Sequence, residues 1–374
     1  MNRTRKLWFG GLGLPAIAIG VFASHALAAE KISNGTLLKP LAQYKAPDTG
    51  NKKARGISGM ACLDQASNGS RECFAVNDEE RFGEVVILTS SGVKPTGRIV
   101  SVTRKGETGE EKDIVGKPRG PICKDIGKFK EADGEGISLA GGYVYVASSH
   151  SCSGKNEYKP SSFLLTRFKP ASATSFGASE PLVERSWRGA DMLAASTVKD
   201  AFGKPKGEGT NIEGVAVIGD RLYAGLRTPL MKDGSAVLIS APVKDLFAAG
   251  KESLPASSVV ETTTLALGAN AGIRDLAALD DGSLLVLSGP TLDQTDVEYR
   301  LWLVKAPFSK DKKPDIKPIA VVRTDAKAKD SAEVPKAESV TVLEQSKSKI
   351  VVLVNYDNVD EGGPTRHELD LPPD

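Results

Sequence analysis

The chain has 374 residues, with 49 Lys and Arg against 47 Asp and Glu and a formal charge of +2. Removing Arg3, Arg5 and Lys6 with their N-terminal segment brings the charge to −1 (2 − 3). A near-neutral chain has no basic field with which to collect phosphates, so no nucleic-acid partner is expected.

Residues 1–28 read as a signal peptide. A basic start precedes an apolar stretch from Leu7 to Ala23, and Ala26-Leu27-Ala28 supplies the small-x-small cleavage pattern. Gly10, Gly11, Gly13 and Pro15 interrupt the stretch, which argues against a permanent anchor. Cleavage near Ala28 predicts an exported protein, periplasmic or secreted, with no stable membrane insertion. The remainder, 29–374, is too long for one simple two-layer core and suits two domains or one closed repeat architecture.

Five stretches superpose along the chain: RGISGMACL (55–63), DGEGISLAGGYVYVASS (133–149), NIEGVAVIGDRLYAGLRTP (211–229), GIRDLAALDDGSLLVLSGP (272–290) and KAESVTVLEQSKSKIVVLVNYD (336–357). Each opens on a polar pair, enters a short apolar strand, turns, and returns as a second strand, which is hairpin chemistry. The aligned polar positions are Ser58, Glu135, Glu213, Asp275 and Glu338, spaced by 77, 78, 62 and 63 residues.

Two more strand signals follow each of the first four hairpins. They are EVVIL (84–88) and GRIVSV (97–102), SFLLTRF (162–168) and LVERSW (182–187), SAVLIS (235–240) and SSVVETTTLAL (257–267), and RLWLV (300–304) and IKPIAVV (316–322). The last hairpin has only HELDL (367–371), and TLLKPLAQY (36–44) is free to supply its missing outer strand. Four complete units, plus three strands and one borrowed, close a ring without free edges. The predicted fold is therefore an all-β propeller of five four-stranded blades in a single domain. Six blades, or an open two-domain β protein, are the alternatives. Segments 104–132 and 188–210, rich in Gly, Lys and Pro, read as loops.

Cys62, Cys73, Cys123 and Cys152 form an even set, which in an oxidising compartment reads as two disulfides. Three connectivities exist. The hairpin frame favours Cys62–Cys73, as cross-strand neighbours, and Cys123–Cys152, on one side of the ring; a thiolate metal site lacks the Cys-x-x-Cys spacing.

In a propeller the first strand of each blade lines the channel, and the second returns to the same mouth. That brings Asp78, His150, Arg227, Asn355 and Asp357 to the ring of Glu135, Glu213, Asp275 and Glu338, with Arg274 beside Asp275. Converging carboxylates need compensation. An axial divalent cation held by oxygens alone, Ca²⁺ above all, would supply it. So would neutralisation by Arg55, Arg227 and Arg274, or backbone N–H donors from neighbouring blades. No nucleophile elbow, Walker loop or His-Glu-x-x-His motif is present in the sequence.

With these residues in view, GEGISLAGGYVYVASSHS, NIEGVAVIGDRLYAGLRTP, GIRDLAALDDGSLLVLSGPT and VLVNYD resemble the bacterial domain of unknown function 3616 family, over about residues 130–357. More distantly the chain is similar to the phytase-like propeller group, a resemblance that implies esterase or phosphatase chemistry. Ser58 departs from the acidic pattern and makes the expected site asymmetric.

Two functions are expected from these features. One is a metal-assisted hydrolase of phosphate or carboxylic esters. In it Glu135, Glu213, Asp275 and Glu338 hold the cation, Arg227, Arg274, Asn355 and Asp357 bind substrate, and His150 and Asp78 move protons. The other is a non-catalytic, monomeric propeller that binds a small anionic molecule or a protein.

Overall fold

A computed structural model describes residues 31–45, 54–103, 113–120, 123–126, 131–205, 207–305, 308, 313–330 and 333–373. The proposed signal peptide, 1–28, lies outside them. Among the described residues no helix is long and apolar enough to cross a membrane.

The fold is a five-bladed β-propeller. Blade one comprises Ile57–Cys62, Arg71–Asn77, Phe82–Thr89 and Gly92–Ser101; blade two Gly134–Ala140, Tyr143–Ser148, Leu165–Phe168 and Val183–Ser186. Blade three comprises Asn211–Ile218, Arg221–Thr228, Ala236–Pro242 and Glu261–Leu265; blade four Ala271–Ala278, Leu284–Pro290, Arg300–Lys305 and Asp315–Arg323. Blade five is Lys336–Gln345, Lys349–Asp357 and Thr365–Asp370, closed by Thr36–Leu37, which pairs antiparallel with its third strand. The borrowed strand therefore sits where the sequence requires it. The same N-terminal segment also runs parallel to the outer strand of blade four through Ile32–Asn34 and bridges to blade one at Pro40. One stretch thus ties blades four, five and one together.

No sixth blade is present among the described residues. The segment 113–120 contributes Ile114–Val115, which adds parallel to the outer strand of blade two. The segment 188–210, read as a loop, contains an α-helix, Arg188–Ala195. Arg188, 2 % exposed, anchors this helix by donating to the carbonyl oxygens of Asp245, Ala248 and Glu252.

Alternation of apolar residues along the strands fills the spaces between blades. Ile212, Val215, Leu226 and Ile239 pack with Tyr145 and Leu165 between blades two and three, and Leu287, Leu301, Val340 and Val354 pack between four and five. Near the axis space is tighter. A side chain on Gly136 would meet the backbone N of Val215 at 2.4 Å, and one on Gly214 the backbone N of Leu276 at 2.6 Å. Glycine after the strand-opening glutamate is thus a packing requirement of converging inner strands.

Both favoured disulfides are present. Cys62–Cys73 joins directly paired positions of one hairpin, and Cys123–Cys152 closes a longer loop.

Candidate functional site

Each inner strand carries a β-bulge at its entry, and the bulged residue faces the axis. The register shifts fall at Ser58, Glu135, Glu213, Arg274 and Glu338. A bulge sets two residues against one and re-aims the extra side chain. Blade four therefore places Arg274, not Asp275, in the position aligned with the glutamates. The sequence alignment is one residue out at this blade. Asp275 instead accepts the backbone N–H of its neighbour Leu276 at 2.8 Å and of Val340 in blade five at 2.7 Å. Burial raises its pKa well above the usual range, with the two N–H donors opposing. It is a clamp between blades and stands apart from the carboxylate cluster.

The cluster itself is Glu135, Glu213 and Glu338, whose nearest carboxylate oxygens all lie within 4.8 Å of one another. Arg274, 2 % exposed, spans two of them, with Nη1 3.2 Å from Glu213 and Nη2 against Glu338. Glu213 also receives Arg227 at 3.3 Å and the amide of Asn211 at 2.5 Å. Glu135 differs. It is 7 % exposed and, among the described residues, accepts no hydrogen bond and forms no ion pair. Burial first, then the charges of Glu213, Asp133 and Asp78, push its pKa well above the ordinary value, and Arg274 opposes them.

Above the cluster lies a cavity of about 260 Å³ lined by Asp78, Asp133, Glu135, Glu213, Glu338 and Asp357, with Arg227 and Lys159. Among the described residues six carboxyl groups and three cationic side chains, counting Arg274, meet here, and the raised pKa values of Asp78, Asp133 and Glu135 relieve the excess of negative charge. Ser58 turns its hydroxyl to the carbonyl of Gly56, so blade one offers the axis no acid from its inner strand. Asp78, at the end of its second strand, supplies one instead. One of its oxygens has no hydrogen-bond partner, and burial together with Asp133, Asp357, Glu79 and Glu213 raises its pKa well above the carboxylate range.

Asp133 escaped the sequence reading. It precedes the strand with a positive φ of 51°, where a non-glycine residue is strained, and it accepts the hydroxyl of Ser149. Burial raises its pKa and the Ser149 bond lowers it. The Asp-Gly pair ahead of Glu135 was the available signal.

The remaining expected residues fall outside this arrangement. His150 is fully buried, points Nδ1 at the carbonyl of Ser148 2.8 Å away, and does not line the cavity. Burial lowers its pKa to about 4. Asn355, 1 % exposed, donates to Ser339 at 2.9 Å behind the cluster. Arg55 pairs with Asp360 at 3.0 Å rather than with the ring. Arg274 is locked beneath the cavity floor, so among the described residues only Arg227 offers a guanidinium to the cavity.

The donor set is chemically consistent with a hard divalent cation. All three groups are carboxylates, the oxygen donors that a hard divalent cation takes. Glu135, unpartnered and buried, is the ligand with the most to gain. Arg274 fixes Glu213 and Glu338 in place by one edge each.

The fold and site define a five-bladed propeller with an acidic, arginine-braced cavity at one mouth of its axis. Residues 200–369 match the family described as "Protein of unknown function (DUF3616)", which shows the resemblance over the last three blades. No curated protein matches the chain. Among solved structures it is similar to a hypothetical protein from Leishmania major, with 8 % identity, TM-score 0.35 and 91 % of each chain covered. It is also similar to the calcium-binding protein regucalcin from Agrobacterium tumefaciens, with 10 % identity, TM-score 0.33 and coverage of 91 % and 98 %.

Proposed function

We propose that the protein is an exported, cation-assisted hydrolase of phosphate or carboxylic esters, acting in the acidic cavity. The observation that carries this is Glu135: a carboxylate on the cavity wall that, among the described residues, has no donor and lies within 4.8 Å of two carboxylates that arginines hold in place. A Ca²⁺-like ion bound there would polarise the ester oxygen and lower the pKa of a water. Glu135, Glu213 and Glu338 would hold it. Arg227, partly exposed at the cavity wall, positions the anionic or developing anionic oxygen of the substrate. Asp78, whose pKa is raised, retains the proton a general acid needs. In hydrolysis a bond forms from the water oxygen to phosphorus or carbon, the ester bond breaks, Asp78 delivers its proton to the leaving oxygen, and the proton that the water gives up returns to the Asp78 carboxylate. Export agrees with the two disulfides, which persist in oxidising compartments.

The test is turnover of phenyl phosphate and phenyl acetate, whose leaving oxygen gains from protonation, with Ca²⁺ present. Asp78→Asn is expected to lower kcat by about 10²–10⁴ while leaving Tm unchanged or raised, since it removes a repelling carboxyl. Turnover of neither ester by the wild type, or full activity in Asp78→Asn, would sink the assignment.

A further inference from the structure

The wall of the acidic cavity has a uniform chemistry. Among the described residues that line it, none carries an aliphatic or aromatic side chain. The hydrocarbon surface of a ligand therefore gains little by entering. At about 260 Å³ the cavity also lies below the range of about 300–1,000 Å³ that holds drug-sized ligands.

What the wall does offer is hydrogen-bonding capacity, most of it as acceptors. Asp133 receives the Ser149 hydroxyl on one oxygen, and Asp357 receives the backbone N–H of Asn358 on one oxygen at 2.6 Å. The second oxygen of each has no partner among the described residues and is not enclosed. Both residues are half-buried on the cavity wall. Ser153 is the complementary group. Its hydroxyl oxygen receives the N–H groups of Lys155 and Glu157, at 3.3 and 3.1 Å, which leaves its proton for a ligand. The cationic side chains on the wall each have a carboxylate already, Lys159 on Glu131 and Arg227 on Glu213. Open acceptors, a hydroxyl donor and little spare positive charge call for a ligand rich in groups that both donate and accept without being charged. The alcohol hydroxyl is such a group.

We infer that the cavity takes a small neutral polyol, the size of one sugar ring, whose hydroxyls donate to Asp133 and Asp357 and accept from Ser153. Resting on the ester-hydrolase reading, this polyol is the alcohol part of the ester. Phenyl esters, whose ring gains little from the wall, then turn over with a high KM. A second anionic group on the polyol would meet Asp78, Asp133 and Asp357 and is disfavoured by like charge.

Ligand-observed NMR titration of D-glucose, D-mannose, D-galactose and D-ribose, in excess chelator and again with Ca²⁺, tests this. Cyclohexanemethanol and putrescine serve as comparisons. At least one sugar is expected to bind about tenfold more tightly than cyclohexanemethanol, the effect of two ordinary hydrogen bonds. Asp357→Leu should abolish that preference, and Ser153→Ala, on a different element, should weaken sugar binding about fivefold. Three results would overturn the inference: no sugar preferred over cyclohexanemethanol in either condition, putrescine bound more tightly than every sugar, or undiminished sugar binding in the variants. The titration contains no ester, so its outcome is separate from that of the hydrolase reading, which fails if phenyl esters are not turned over.

Discussion

Arg274→Leu is expected to destabilise the protein by about 3–5 kcal/mol, the cost of leaving buried charges without their partner, or roughly 5 °C in Tm for a chain of this length. Arg274 is 2 % exposed and bridges Glu213 and Glu338, with Glu135 close by. Its removal leaves three carboxylates from three blades facing one another. They respond by taking up protons, so the deficit grows as pH rises. Arg366→Leu serves as the control, because its pairing with Glu368 lies at the surface and is worth under about 1 kcal/mol. Chemical denaturation of both variants at pH 6.5 and 8.5 measures the difference. Equal, small effects would mean that Arg274 does not brace the cluster.

Glu135→Gln should behave in the opposite way. In cation-free protein Glu135 has a raised pKa, so above the ordinary carboxylate value the folded state keeps a proton that the unfolded chain releases. Its contribution to stability is therefore full at low pH and is lost as pH rises towards the folded-state value. Glutamine mimics the protonated form and removes that loss. The variant should melt above the wild type in chelator at pH 8, with the gap closing towards pH 5. His150 and His367, whose pKa values burial lowers to about 4, act with the reverse sign and weaken both proteins as pH falls below about 6.5. A Glu135→Gln protein less stable than wild type at pH 8 in chelator would show that this carboxylate is a packing element. Glu213→Gln is a poorer probe. It strands Arg274 and Arg227, so it unsettles the fold whatever the function.

Much of the fold was legible because hairpins repeat. Apolar strands alternate with Gly-Asp and Gly-Gly turns, and counting them left one strand short, which Thr36–Leu37 supplies. The cysteine pairing followed from Cys62 and Cys73 flanking one turn. What failed was the frame at blade four. Asp275 was aligned with the glutamates on charge alone, although Ile57, Ile212 and Ile273 precede the true axial residues Ser58, Glu213 and Arg274. A β-bulge leaves no compositional trace beyond such neighbours. Asp133 was hidden for a related reason, since its place in the cavity depends on a left-handed backbone conformation. His150 reads as a proton-moving residue at the channel mouth, but the chain turns it inward against Gly189.

In the proposed function the acidic cavity binds a hard divalent cation through Glu135. Calorimetric titration of chelator-stripped protein with Ca²⁺ at pH 7.5 tests it most directly. One ion per chain, with protons released on binding and no binding by Glu135→Gln, is the expected result. No heat with Ca²⁺, Mg²⁺ or Mn²⁺, or identical binding by the variant, would contradict it and leave the carboxylates as an arginine-braced joint between blades.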